Sequence, residues 1–300
     1  MITITRRDAL RLFGAAAAGS LFERYASAQA ALTLQPLSDK ITVLMGAGGN
    51  ITILKSADGL LLVDAGLPNT VAAVLAKLKD VAPAPVKLLI NTHWHYDHTG
   101  GNEELGKSGT QILAHVNCLK RLSATQHIAF FNRDFPALAE VGRPKQTFQD
   151  KGQLSFGGET VRYQYLPPAH TDGDITVHFA NDDVYAAGDL HFNGMYPFID
   201  YSTGGSIEGM IRNAATMLKA VGAKTKIVPG HGPLATKADL QAFHDMLADA
   251  NEQLSKLIKQ GKSIDEIVAA KPTAKYDDKW GNGFVKTDAW LRMLDAGKTA

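Results

Sequence analysis

The run His93-Trp94-His95-Tyr96-Asp97-His98 sets four potential metal ligands within six residues, directly after an apolar, strand-like stretch over 86–90. No other feature constrains the chain as strongly. Ligands this crowded do not easily close a tetrahedron around one ion, but they can feed two neighbouring ions that are each completed from elsewhere. In extended backbone, positions 93, 95 and 97 project to one side because strand side chains alternate with period two. Trp94 and Tyr96 then face the other way and read as packing groups. His98 has to point elsewhere unless the chain turns, and Gly100-Gly101 supplies freedom for a turn.

Three later positions offer the completing groups. His170 follows Pro167-Pro168-Ala169 after a strand over 161–166. Asp189 follows Ala186-Ala187-Gly188 after a strand over 184–187, and His231 sits in Pro229-Gly230-His231-Gly232 after a strand end at 227–228. Each stands just beyond the carboxyl end of a strand, where functional groups are commonly displayed.

Taken together, His93-x-His95-x-Asp97-His98, His170, Gly188-Asp189 and Gly230-His231-Gly232 resemble the five motifs of the metallo-β-lactamase superfamily. The lead-in Gly59-Leu60-Leu61-Leu62-Val63-Asp64-Ala65-Gly66 resembles that family's strand and Asp-containing turn, and the likeness runs over roughly residues 40 to 235. The resemblance implies an α+β fold, an αββα sandwich of two mixed sheets packed face to face with helices outside. It also implies two Zn2+ per chain, one held by His93, His95 and His170 and the other by Asp97, His98 and His231. Asp189 would bridge them, with a hydroxide between, and Asp97 would be the catalytic group that orients the hydroxide and passes its proton on. Asp64 matches a supporting position that orients backbone or ligating histidines.

The segment His191–Pro197 lies where lactamases place substrate-contacting groups, which makes Asn193 and Tyr196 candidate substrate-binding residues. Gly46–Asn50 resembles a mobile hairpin over the cleft and reads equally well as a plain turn. The broadest-spectrum lactamases carry Cys at the position of Asp189. Here the single thiol, Cys118, is far away in sequence and reads as a buried structural group, so the all-His/Asp set stands closer to lactonases and glyoxalase II. His115, His127, His178, His191 and His244 have no motif around them and read as surface or core residues.

The rest of the chain supplies the frame. Strands are predicted over 41–44, 51–54, 60–63, 111–114 and 176–179, and helices over 70–79, 101–107, 115–123, 207–221, 237–259 and 288–294. Residues 125–150, with Phe130, Phe131, Phe135 and Phe148, read as a cover or loop region. Residues 31–300 form one metallo-β-lactamase-like domain with a helical extension from about 236.

Ahead of that domain, Arg6-Arg7 precede an alanine-rich apolar run and the small-residue sites Ala26-Ser27-Ala28 and Ala28-Gln29-Ala30. Residues 1–30 resemble a twin-arginine signal peptide, cleaved after Ala28 or Ala30, which implies use of the export machinery and a periplasmic or secreted protein. With 31 Lys and Arg against 30 Asp and Glu, no net field steers the chain toward nucleic acid or a membrane surface. The expected partner is a small molecule, with no nucleic acid and no stable membrane insertion; the oligomeric state stays open. These features fit an exported di-zinc hydrolase that opens a cyclic amide or ester, a β-lactam or a lactone. The alternatives are a thioesterase of the glyoxalase II type, an iron-dependent sulfur dioxygenase on the same fold, and a non-catalytic metal-binding protein of the envelope.

Overall fold

The structure is a computed structural model and describes residues 31–299. The paired arginines, the apolar run and the cleavage sites lie outside the described residues. Four strands open the fold: β1 (Thr33–Pro36), β2 (Ile41–Met45), β3 (Ile51–Ser56) and β4 (Gly59–Val63). They form an antiparallel meander, because short apolar runs here alternate with Gly- and Asp-containing turns. Helix α1 (Val71–Val81) crosses to β5 (Val86–Ile90). The one-turn α2 (Tyr96–Thr99) and α3 (Asn102–Lys107) lead to β6 (Gln111–His115), followed by α4 (Val116–Leu122).

Residues 125–150, expected as cover or loop, contain a small hairpin, β7 (Gln126–Ile128) and β8 (Arg133–Phe135), and then β9 (Gln146–Phe148). β9 adds to the edge of the first sheet, in the order β1-β2-β3-β4-β5-β6-β9. The second sheet runs β10 (Lys151–Phe156), β11 (Glu159–Tyr165), β12 (Ile175–Phe179), β13 (Val184–Phe192) and, after α5 (Ile207–Ala220), β14 (Lys226–His231). Four helices finish the chain: α6 (Lys237–Lys259), α7 (Ile264–Ala270), α8 (Ala274–Trp280) and α9 (Thr287–Thr299).

Period-two patterning decides how these pieces stack. Ile41, Val43, Leu61 and Val63 face Val161, Val177, Phe179 and Val184 between the sheets. Leu44, Leu60 and Leu62, from the alternate positions, pack under Val74 and Leu78 of α1. On the far side of the second sheet, Tyr185, Ala187 and Ile227 meet Met210 and Met217 of α5 and Phe243 and Leu247 of α6. The layers are therefore helix, sheet, sheet, helix, the αββα sandwich that the resemblance implied. The side chains of Leu61 and Phe179 have no exposure. Trimming either to Ala would cost about 2–5 kcal/mol of transfer and cavity energy.

Two helices that periodicity did not predict, α7 and α8, are short. α7 is held by a capping box in which Ser263 and Glu266 satisfy each other's backbone donors. Among the described residues no helix is long and apolar enough to cross a membrane.

Candidate metal centre

Both sheets end at the same edge of the sandwich, and the candidate ligands gather there. The first four do not share one strand: His95 is still extended, but Asp97 and His98 lie in a helical turn. His95 caps α2, whose first turn carries Asp97 and His98. The amides of His98 and Thr99 both donate to the His95 carbonyl at 3.0 Å. This turn brings His98 round beside His93 and Asp97, whereas a strand would have aimed it away. The run is tied on both flanks, by Gly49 N–H to the Asp97 carbonyl (3.1 Å) and Ala65 N–H to the His98 carbonyl (2.7 Å).

His170 opens a loop closed by Asp174, whose carboxylate accepts from the His170 and Thr171 amides. Burial pushes the Asp174 carboxyl up to about 7 against those hydrogen bonds. Asp189 is not beyond a strand end, as expected, but inside β13, which continues to Phe192. The reason lies in β14. Pro229 pairs with Gly188 and lacks an N–H for the ladder, and the parallel register shifts on either side of Gly188. Asp189 therefore sits on an irregular stretch that turns its side chain into the site. His231 is the last residue of β14. Gly230 beside it has to be glycine, since a Cβ there would overlap Oδ1 of Asp189.

Two groups result: His93, His95, His170 and Asp189, then Asp97, His98 and His231. Within each group one ligand atom per residue lies within 4.8 Å of all the others, and all seven residues are buried. Asp189 belongs to both neighbourhoods. Its Oδ2 lies 3.3 Å from His170 Nε2 and 3.3 Å from His231 Nε2, while Oδ1 is 3.1 Å from His98 Nε2. Each group draws members from both sheets.

The far nitrogen of most rings is already committed. His98 Nδ1 donates to Asp64 Oδ2 (2.8 Å), as anticipated for Asp64. Asp64 also takes the amide and hydroxyl of Thr92. The Thr92 oxygen in turn faces His93 Nδ1 at 3.1 Å. His95 Nε2 donates to Asp200 Oδ2 (3.0 Å), and His170 Nδ1 donates to the Phe198 carbonyl (2.8 Å). These commitments leave His93 Nε2, His95 Nδ1 and His170 Nε2 as lone pairs converging on one point, with His170 Nε2 3.2 Å from His93 Nε2 and 2.8 Å from His95 Nδ1. Oδ1 of Asp189 is buried without a hydrogen-bond donor.

Facing lone pairs and an orphaned carboxylate oxygen are unfavourable unless a cation lies among them. The donor set of imidazole and carboxylate suits zinc, and so the residues present fit a pair of such ions. The charge pattern agrees. Burial would lower His98, but Asp189, Asp97 and Asp64 outweigh it and push it up to about 10. Burial, helped by the neighbouring histidines, holds His93 well below its usual range, and burial brings His170 down to about 4. Against burial that would raise them, the facing histidines hold Asp97 low and Asp189 well below the usual carboxylate range.

Thr92 and Asp200 were missed in the sequence. Thr92 is adjacent to the run, and the whole signal for it is that position. Asp200 opens Asp-Tyr-Ser-Thr-Gly, a pattern typical of ordinary turns; indeed its carboxylate also accepts from Ser202 N–H and the Thr203 hydroxyl.

The two substrate candidates turn out to be engaged elsewhere. Asn193 Nδ2 donates to the Pro233 and Leu234 carbonyls, both at 3.1 Å. The Tyr196 hydroxyl donates to Asp277 Oδ1 (2.8 Å), and its ring stacks on Trp290 at 4.1 Å. Of the two, Tyr196 lines the cavity. Tyr96, expected as packing, lines the cavity and stacks on Phe135, while Trp94 is buried in the core as expected. The 46–50 turn is pinned, Asn50 binding the Gly230, Pro229 and Gly232 carbonyls. His191 is a core residue against Phe243, and Cys118 is fully buried.

With this geometry in view, the sequence model described as "Metallo-beta-lactamase superfamily" matches residues 45–231. Acyl-coenzyme A thioesterase MBLAC2 of Gallus gallus is 23% identical over 207 residues, covering 62% of this chain and 73% of that protein. A hydroxyacylglutathione hydrolase of Pelagibacter ubique is 28% identical over 196 residues, 64% of this chain and 69% of that protein. Among solved structures, a metallo-beta-lactamase from Pontibacter korlensis superimposes with a TM-score of 0.60 at 20% identity, covering 73% of this chain and 99% of its own. A sec-alkylsulfatase from a Pseudomonas species gives 0.66 at 17% identity, covering 92% of this chain; this chain spans 51% of its length.

Proposed function

The chain belongs to the metallo-beta-lactamase superfamily, and from that premise we propose that it is an exported hydrolase that takes up two Zn2+ and opens a cyclic amide or ester, a β-lactam or a lactone. One observation carries the reading: seven buried imidazoles and carboxylates converge on two adjacent points, with ring nitrogens facing one another. When bound, two such ions bring the pKa of water toward neutrality and polarise a carbonyl oxygen.

The protein's own groups do the rest. Asp97 stands at the cavity edge with its Oδ2 3.3 Å from His231 Nε2. Held low by His98 and His231 against burial, it remains a carboxylate at neutral pH, able to accept a proton from attacking water and return it to the leaving group. Asp64, Asp200 and the Phe198 carbonyl fix which nitrogen of His98, His95 and His170 faces the site. Phe131, Phe192 and Phe198 line the cavity and keep bulk water out. Arg6-Arg7, the alanine-rich apolar run and the small-residue sites within residues 1–30 support export.

The purified protein should carry about two zinc per chain, open a chromogenic β-lactam or a lactone, and lose turnover to a chelator. His95→Ala should cost several kcal/mol of transition-state stabilisation, roughly a thousandfold or more in rate. Bound iron with oxygen consumption would instead support the dioxygenase, and bound metal without turnover on esters, thioesters, lactones and lactams the envelope metal-binding protein. Intact mass of the exported form should report cleavage after Ala28 or Ala30.

A further inference from the structure

The space beside the metal centre is walled by aromatic rings drawn from three separate parts of the chain. Phe131 comes from the β7–β8 hairpin, Phe198 from the segment after β13, and Phe284 from the turn between α8 and α9. Phe131 joins the other two, with ring centroids 5.2 Å from Phe198 and 5.8 Å from Phe284. Phe198 in turn lies 5.7 Å from His95 and 5.8 Å from His170. Met195 and Phe284 stand at the junction of this cavity with an outer cleft beside His231, whose far side is the 46–50 turn.

The third wall lies outside the family match, which ends at residue 231, yet it is firmly built. Tyr196 N–H donates to the Trp280 carbonyl at 2.7 Å, its hydroxyl holds Asp277, and its ring lies on Trp290. Gly283 lets the turn close down, since a Cβ there would overlap Met195. Among the described residues, no Lys or Arg lines either space, and the charged side chains there apart from histidine are Asp97 and Asp189.

We infer that helices α8 and α9, through Phe284 and with Phe131 and Phe198, form a charge-free apolar wall that selects uncharged lactones or esters bearing an apolar substituent and rejects anionic substrates. The inference rests on the hydrolase reading above and narrows it to lactones and esters, because β-lactam substrates carry a carboxylate beside the ring. A carboxylate on the substituent would be pressed among Phe131, Phe198 and Phe284 with no cationic side chain to meet it. Burying an unpaired charge of that kind is costly, whereas a phenyl or alkyl group gains from the same contacts.

The test uses the full, metal-loaded protein and a matched pair, an alkyl-substituted lactone and the same lactone with a terminal carboxylate on its chain. The neutral member should have a kcat/KM at least tenfold higher, and Phe284→Lys should shrink or reverse that ratio without changing metal content. Equal or better turnover of the anionic member, or a ratio unmoved by Phe284→Lys, overturns the inference. Calorimetric binding of the corresponding unreactive five-membered lactams separates the two readings. If the neutral lactam binds at least tenfold tighter while neither lactone turns over, the wall stands and the hydrolase reading falls. If the anionic lactam binds as well as the neutral one, the wall assignment falls.

Discussion

Replacing Asp200 by Asn tests whether one ring's outer hydrogen bond governs cation affinity. His95 would ligate through Nδ1, and its Nε2 donates to Asp200 Oδ2 at 3.0 Å in a fully buried setting. Asn keeps the volume and can still accept through its oxygen, so the ring should stay in place. What disappears is the negative charge that makes the imidazole a better donor to a metal. A hydrogen bond to a charged group is worth about 1.5–3 kcal/mol and a neutral one about 0.5–1.5. The difference, about 1–2 kcal/mol, corresponds to roughly 5- to 30-fold weaker binding. That overlaps the lower part of the range seen when the outer partner of a metal-bound histidine is removed. The loss should fall on the site built from His93, His95 and His170, because Asp200 touches none of Asp97, His98 or His231. Competition against a chromophoric chelator resolves two affinities, and the expected result is one weakened constant and one unchanged. Two unchanged constants would refute the argument, as would equal weakening of both.

The metal-free protein should be most stable near pH 6.5. His170, near 4 when folded against an ordinary 6.5, withdraws stability as pH falls from about 6.5 through 4, and His98, at about 10, withdraws it as pH rises from about 6.5 through 10. Calorimetric melts of chelated protein should fall on both sides, and loading metal, which needs His98 neutral, should remove the alkaline decline; a flat chelated profile from pH 7 to 9 contradicts it. Asn50→Ala should cost about 1–3 kcal/mol in denaturant unfolding, since it strips the Pro229 and Gly232 carbonyls of a buried donor. Tyr196→Phe should lower stability by about 1–3 kcal/mol while hydrolysis changes only a few-fold; a hundredfold fall in kcat would restore the hydroxyl as an oxyanion contact.

The ligands were legible because metal chemistry demands particular residue types at close spacing, even though Asp189 lies within β13 and Asp97 and His98 lie on a helical turn. The layering was legible for a similar reason, since Leu60 to Val63 alternate between two cores. What failed to show was information held by distant partners. That α2 turns at His95, or that β13 runs through Gly188 to Phe192, depends on Asp64 and Pro229 meeting those segments in space. Asp200 looks like any turn aspartate until His95 is beside it. The hydroxyl of Tyr196 could be aimed at substrate or at Asp277 until α8 is placed, and α7 and α8 are too short for periodicity to separate from loop.

Because each half of the centre takes ligands from both sheets, bound ions would act as rivets through the edge of the sandwich. A partly unfolded form keeping just one sheet would retain at most four of the seven donors and could complete neither set. Parting of the layers should therefore release both ions, and bound metal should slow the opening of the fold.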